Sequence, residues 1–293
     1  MTETADRKSR TALVMEGGAM RGMFTCGVID VLMENGISFE AACGVSAGAV
    51  FGCNLKSRQI GRPIRYNKEY CRDPRYCSLR SLLKTGDLYG VEFCYHELPD
   101  KLDPFDRETF RTDPTDFYIG TTCVETGEAV YHKCTDGEEE DILWMQASAS
   151  MPGVSRPVRI GDRRYLDGGL VDTVPFEYME SLGYDRNVIV LTRPKGYRKK
   201  KGAGMKMYSL LLLRYPKIRK ILVKRADRYN ELAERIDEKE TEGTAFVIRP
   251  PKDLSEGHVE RDPEKLEEMY QAGRREMTRR LAELNVFLSE TDR

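Results

Sequence analysis

Two glycine-rich turns, each set between a short apolar run and a helical pattern, constrain this chain more than any other feature. Thr11 to Met15 (TALVM) reads as a buried strand that runs into Glu16-Gly-Gly-Ala-Met-Arg-Gly22. Met20, Met23, Phe24, Gly27, Val28, Val31 and Leu32 then recur at helical spacing, and Asn35-Gly36 supplies the stop. The pattern repeats at once. Ser38 to Cys43 reads as a second strand, Gly44-Val-Ser-Ala-Gly48 as a tight turn, and Ala49 to Leu55 as a helix of small residues. Strand–loop–helix twice over predicts an α/β fold, a sheet with helices on its faces.

Further along, residues 56–115 are polar and rich in Arg, Tyr and Pro, and read as helices and loops. Phe117 to Val124 and Ala129 to Lys133 read as a hairpin, Asp141 to Ala149 as a helix. Pro157 to Ile160 and Arg163 to Leu166 form a second hairpin that ends at Asp167-Gly-Gly169. Pro175 to Leu182 reads as a helix closed by Gly183, and Val188 to Leu191 and Ala245 to Ile248 as strands. Asp262-Pro263 is a good N-cap and first-turn pair for a closing helix. No internal repeat or low-complexity linker interrupts the 293 residues, a length that suits one large α/β domain or two small ones.

Composition excludes several classes. The chain is 40% hydrophobic and 32% charged, a globular balance that rules out collagen, a coiled-coil rod and wholesale disorder. No apolar run approaches the roughly 18 residues of a membrane span; Leu210 to Leu213 is four leucines beside Arg214. The start, MTETADRKSR, has no apolar signal region, so a cytoplasmic protein is expected. All eight cysteines fall in the first half with no CxxC pair, and there are three histidines, His96, His132 and His258. No zinc or other metal site is expected from them, and Cys26, Cys43, Cys53 and Cys123 read as buried free thiols. The net charge of −1 hides an asymmetry: residues 193–228 hold 14 Lys and Arg against Asp227 alone. A basic stretch in an otherwise acidic chain attracts anionic surfaces, whether lipid headgroups, nucleic acid or an acidic partner.

Three segments carry chemistry. Gly44-Val-Ser-Ala-Gly48 matches G-x-S-x-G, in which glycines let a serine stand exposed on a sharp strand-to-helix turn. The plain alternative is a glycine turn with an incidental serine. Glu16-Gly-Gly-Ala-Met-Arg-Gly22 offers free backbone N–H groups to an anion or a developing oxyanion. A dinucleotide loop is the competing reading, but Ala19 breaks its glycine fingerprint. Asp167-Gly-Gly169 places a carboxylate at a strand end, where a simple Asp-Gly turn is the ordinary explanation.

From Thr11 to Arg193 the chain resembles the patatin-like phospholipase family, through EGGAMRG, GVSAG, ASASMPGV (Ala147 to Val154) and YLDGGL (Tyr165 to Leu170). The resemblance implies a three-layer α/β/α fold with a central, mostly parallel sheet, and a lipid acyl hydrolase with a Ser-Asp dyad and no cofactor. By motif position Ser46 would be the nucleophile and Asp167 the base. Gly44 and Gly48 would form the nucleophile elbow, and Gly168 and Gly169 the supporting turn. The oxyanion segment would comprise Gly17, Gly18, Ala19, Arg21 and Gly22, with the backbone of the first three lining the hole and Arg21 bracing the loop. Three positions depart from the family pattern. Glu16 stands where plant members tend to have Asp, Ala19 replaces the third glycine, and Thr173 replaces a frequent Asn. The match divides the chain into a catalytic core at 11–193 and a following segment, 194–293, packed on the same domain.

Two rival readings use the same residues. Ser46, Asp167 and His258 follow the chain order of an α/β-hydrolase triad, although the elbow falls early and His258 sits in a polar stretch. A catalytically idle lipid- or membrane-binding module would keep the fold without turnover. In the basic segment Ile218, Ile221, Leu222, Ala226 and Tyr229 recur at helical spacing among Lys217, Arg219, Lys220, Lys224, Arg225 and Arg228. This predicts a helix whose cationic face is either solvated or docks on an anionic membrane, in line with an acyl-lipid substrate and no nucleic acid.

Overall fold

Eight strands are built from the predicted runs: β1 (Thr11–Met15), β2 (Ala41–Val45), β3 (Asp116–Cys123), β4 (Ala129–Lys133), β5 (Val158–Ile160), β6 (Arg163–Asp167), β7 (Arg186–Val190) and β8 (Ala245–Ile248). They come from a computed structural model that describes residues 10–200, 212–254 and 259–289. In the sheet order β5-β6-β3-β2-β1-β7-β8, the five strands from β3 to β8 run parallel. β4 and β6 pair antiparallel with β3, and β5 with β6.

The central strands lack polar alternation because both faces are covered. β1 sends Leu13 and Met15 into one apolar cluster and Ala12 and Val14 into the other, all fully buried. β8 divides the same way, Phe246 and Ile248 against Ala245 and Val247. The helices are α1 (Gly22–Glu34), α2 (Ala47–Val50), α3 (Cys53–Lys56), α4 (Arg62–Tyr70), α5 (Leu79–Thr85), α6 (Arg107–Thr112), α7 (Glu139–Ser148), α8 (Phe176–Ser181), α9 (Pro216–Glu242) and α10 (Pro263–Ser289). Phe24 and Ile29 of α1, Met145 of α7 and Met277 of α10 cover the first face. Met179 of α8 and Ile236 of α9 cover the second. The protein is thus a three-layer α/β/α sandwich around a mostly parallel sheet.

Two expectations are corrected. β2 begins at Ala41 rather than Ser38, because its partner β1 starts opposite it, Ala12 beside Ala41, leaving earlier residues few ladder positions. The small-residue helix is two pieces, α2 and α3, broken around Phe51-Gly52 where Met15 packs against the glycine. Asp262 accepts from the Glu264 N–H at 3.1 Å, capping α10 as its sequence suggests. Residues 56–115 fold as α4 to α6 and a π-helical stretch, Phe93–Leu102, over a third cluster that includes Met20, Tyr76 and Phe93. Each of the eight cysteines is a free thiol. Among the described residues no helix is long and apolar enough to cross a membrane. His258, Leu210, Leu211 and the first nine residues, on which the sequence raised expectations, lie outside the described residues.

The segment after residue 193 joins the core at both ends. β8 extends the sheet beyond β7, and α10 lies across α1. The two helix backbones meet at a pair of glycines: a Cβ on Gly27 would stand 2.1 Å from the Tyr270 carbonyl oxygen, and one on Gly273 2.0 Å from that of Phe24. Beside the crossing the Tyr270 hydroxyl donates to Asp30 at 2.7 Å. Because backbone cannot yield as a side chain does, Gly273→Val is expected to cost at least about 2 kcal/mol, at the upper part of the overpacking range. Urea unfolding checks it through a lowered midpoint with an unchanged slope.

Candidate active site

Ser46 follows β2 directly and takes φ 55° and ψ −121°, a region that side chains avoid. Strain of this kind is worth on the order of 1–3 kcal/mol and persists only where neighbours over-determine it. Here the turn is wedged into the sheet. A Cβ on Gly44 would lie 2.1 Å from the Gly48 carbonyl oxygen, and one on Gly48 2.3 Å from that of Met15. Both glycines of the motif are therefore required by backbone contact. The Ser46 N–H donates to the Ser148 hydroxyl at 2.8 Å, and that hydroxyl donates on to the Gly120 carbonyl at 2.7 Å.

Asp167 ends β6, opposite Thr121 of β3. Its Oδ2 accepts from the Ser46 hydroxyl at 2.7 Å, and its Oδ1 accepts from the Gly169 N–H at 2.7 Å. The carboxylate is 4% exposed. Burial pushes its pKa above the ordinary carboxylate value, while the Ser46 hydroxyl and the charge of Arg225 pull against that rise. Gly168 lets the turn lie against β3, since a Cβ there would meet the Gly120 carbonyl oxygen at 2.3 Å. The Gly169 carbonyl accepts from Arg225 Nε of α9 at 2.9 Å. A serine bonded straight to the aspartate leaves no place for an imidazole between them, which speaks against the triad. Neither His96 nor His132 lines the cavities at Ser46.

The loop after β1 passes over the same point. Gly17 is so close that its Cβ would stand 3.0 Å from that of Ser46. The Gly17 N–H is already engaged with the Thr173 carbonyl at 3.3 Å, so Gly18 and Ala19 are left with N–H groups that have no partner among the described residues. Gly18 packs on Thr192 and Gly22 on Ala47 and Phe51, both without room for a side chain. Glu16, 1% exposed, anchors the loop. Its carboxylate accepts from the Thr192 N–H at 2.5 Å and hydroxyl at 3.1 Å, and from the Tyr229 hydroxyl of α9 at 3.0 Å. Arg21, expected to brace the loop, is buried; its N–H donates to the Gly18 carbonyl at 3.2 Å, and among the described residues its Nε and Nη1 have no hydrogen-bond partner.

Two cavities meet at Ser46. One, about 170 Å³, is apolar and is walled by residues such as Phe51, Tyr95, Leu98, Phe105, Ile142 and Met145. The other, about 380 Å³, is polar and holds Glu16, Arg21, Asp167, Lys199, Arg225 and Tyr229. Away from both, His132, Cys134 and Asp141 bring three possible metal ligands within 4.8 Å of one another, a grouping the residue spacing had not suggested. Asp141 is fully used there. One oxygen meets His132 Nε2 at 2.6 Å, and the other accepts the N–H groups of Thr135, Asp136 and Gly137, so the cluster reads as a cap on the β4–α7 turn.

Residues 13–179 match the patatin-like phospholipase family. The chain belongs to that family. Residues 215–289 match a second one, described as a domain of unknown function, DUF6363. Among curated relatives, the uncharacterized protein YjjU of Escherichia coli K12 is 30% identical over 193 residues, covering 63% of this chain and 52% of YjjU. The lysophospholipase nte1 of Emericella nidulans is 28% identical over 184 residues, 59% of this chain and 11% of that protein. The chain thus aligns with about half of one relative and a small part of the other. The crystal structure of VipD from Legionella pneumophila superposes with a TM-score of 0.47 at 12% identity, over 94% of this chain and 67% of that one.

Within the patatin-like frame, sequence reasoning located Ser46, Asp167 and the glycine loop, and the structure brings them together. Ser148, inside ASASMPGV, carries no local signal of its bond to the Ser46 N–H. Nor does any spacing reveal the anchoring by Glu16, Thr192 and Tyr229. Arg225 and Lys199, two of the many cations in the basic stretch, line the cavity at Ser46. The family's third glycine position, Ala19, adopts φ 49°. Ala19→Gly removes the Cβ penalty of that left-handed region, so it is expected to stabilise the fold by up to about 1 kcal/mol. A raised urea midpoint checks it.

Proposed function

We propose that the protein is a serine acyl hydrolase that cleaves the carboxylic ester bonds of phospholipids or related acyl lipids through Ser46 and Asp167. The observation that carries this reading is the 2.7 Å hydrogen bond from the Ser46 hydroxyl to Asp167, made where an apolar cavity and the glycine loop meet. Family membership and the lysophospholipase named among the relatives support a lipid ester as substrate.

The chemistry follows from the geometry. Asp167 accepts the Ser46 proton as Oγ forms a bond to the ester carbonyl carbon. The carbonyl oxygen takes the negative charge and is met by the free N–H groups of Gly18 and Ala19, donors worth about 10²- to 10³-fold each in rate. Collapse of this intermediate expels the alcohol, which carries away the proton held by Asp167, and leaves an acyl-serine. Water then attacks the acyl-serine with Asp167 again taking a proton, and Ser46 leaves as its hydroxyl. The burial that raises the Asp167 pKa makes it a stronger base.

Ser46→Ala and Asp167→Asn are each expected to lower p-nitrophenyl ester hydrolysis by about 10³-fold or more, with the double variant little worse than either. A fluorophosphonate probe should label Ser46 and no other serine. Asp167 must be ionised to accept the proton, so activity falls as pH drops through its raised pKa. Arg225→Gln removes a charge that favours the ionised form, and the acidic limb of kcat/KM should move to higher pH. An acidic limb that stays in place would separate Arg225 from the base.

Membrane contact belongs to the same reading. Ile218, Ile221, Leu222, Ala226 and Tyr229 of α9 are buried, while Lys217, Lys220 and Lys224 are exposed. Each such lysine contributes roughly 1 kcal/mol near an anionic surface. Binding to phosphatidylglycerol vesicles is expected to weaken with salt and to drop when these three lysines become Gln. Sedimentation of the vesicles reads it, and binding indifferent to both would leave a solvated face.

A further inference from the structure

The polar cavity beside the dyad carries more positive charge than it has acids to balance. Arg21, Lys199 and Arg225 line it, and among the described residues none has a carboxylate within ion-pair distance, whereas Arg193 at the wall is paired with Asp253 at 2.7 Å. The cavity's two carboxylates are already occupied. Glu16 accepts three hydrogen bonds from Thr192 and Tyr229, and Asp167 is held by Ser46 and Gly169. Arg21 is 8% exposed, and among the described residues its buried Nε and Nη1 have no acceptor. An unmatched buried guanidinium is costly, and a ligand with several acceptor oxygens would offset that cost. Burial and then the nearby charge of Arg225 push the Lys199 ammonium down to about 7, and Glu16 only partly offsets them.

We propose that this cavity is a phosphate subsite, in which Lys199 and Arg225, with Arg21 behind them, hold the phosphoester headgroup of an acyl ester whose chain enters the apolar cavity. The proposal rests on the ester-hydrolase reading of Ser46. Three converging cations suit a tetrahedral, multiply charged oxyanion, and the arginine forks add geometric fit. The position suits it too, since Arg225 Nε already holds the Gly169 carbonyl two residues from Asp167. Lys199 and Arg225 both lie beyond the 13–179 match, so two of the three cations come from the following segment and Arg21 from the patatin-like core.

Two soluble esters separate the parts of the site: monohexanoylglycerol and 1-hexanoylglycerol 3-phosphate, compared by kcat and KM at low salt. The wild-type protein is expected to favour the phosphate ester at least tenfold in kcat/KM. Lys199→Gln and Arg225→Gln should each lose most of that preference through KM, and Arg225→Lys should regain part of it. Equal kcat/KM for the two esters in the wild type, or a preference unchanged in both Gln variants, overturns the proposal. Calorimetric titration of Ser46→Ala with sn-glycerol 3-phosphate reads the subsite without turnover. Binding weakened about tenfold by Lys199→Gln supports it, and no binding overturns it. Inorganic phosphate should compete with the phosphate ester; if it binds this cavity while the protein shows no preference between esters, the site takes free phosphate and the headgroup assignment falls. If Ser46→Ala binds glycerol phosphate and the wild-type protein hydrolyses neither ester, the hydrolase reading fails and the anion site stands alone.

Discussion

Everything at the site depends on how tightly the chain turns after β2. Gly48 packs on the backbone of Met15, Gly44 on that of Gly48, and Ser46 is left at φ 55° with its hydroxyl on Asp167. The parallel pairing of β1 and β2 fixes this geometry, since it sets Met15 beside Gly44 and so brings the glycine loop to the same height as the serine. Ser148 ties the Ser46 N–H to the carbonyl of Gly120 on β3. Three adjacent strands thus hold one strained residue. This is the usual place for a site in an open parallel sheet, beyond the carboxyl ends of the strands.

The fold was legible where the chain is buried on both faces, because short, nearly continuous apolar runs of four or five residues between polar flanks admit few other structures. TALVM and AFVI became β1 and β8, and the serine turn and Asp167-Gly-Gly169 could be placed because glycine is demanded by local backbone contact. Residues 56–115 resisted reading for a physical reason. They form short helices over a cluster assembled from distant parts, Met20 and Met269 among them, and local periodicity carries no trace of such partners. The candidate site was legible to the same limit. Its motif residues are local signals, whereas Glu16–Tyr229 and Gly169–Arg225 join positions far apart in the chain. Arg225 illustrates the loss. One basic residue among many on an amphipathic helix, it turns out to be half-buried and to line the cavity that holds Ser46 and Asp167.

The segment beyond the family core is therefore part of the site's construction. Tyr229 meets the buried Glu16 that anchors the glycine loop, and Arg225 fixes the turn that carries Asp167. Without α9, Glu16 would lose one donor and Asp167 one of the charges that favour its ionised form. The two cavities divide along the same line. The apolar one is walled largely by the core and its 56–115 insertion, the cationic one in good part by residues beyond it.

The crossing of α1 and α10 also bears on the order in which the protein is made. Asp30 and Tyr270, bonded in the finished fold, are 240 residues apart in the chain. At about 5–20 residues per second, a ribosome needs on the order of 12 to 48 s to deliver the second partner after the first. Throughout that interval the nascent chain carries α1 without the helix whose backbone it meets at Phe24 and Gly27. α1 is thus closed by a helix made long after it, and this layer of the sandwich cannot be completed until residues near position 270 are available.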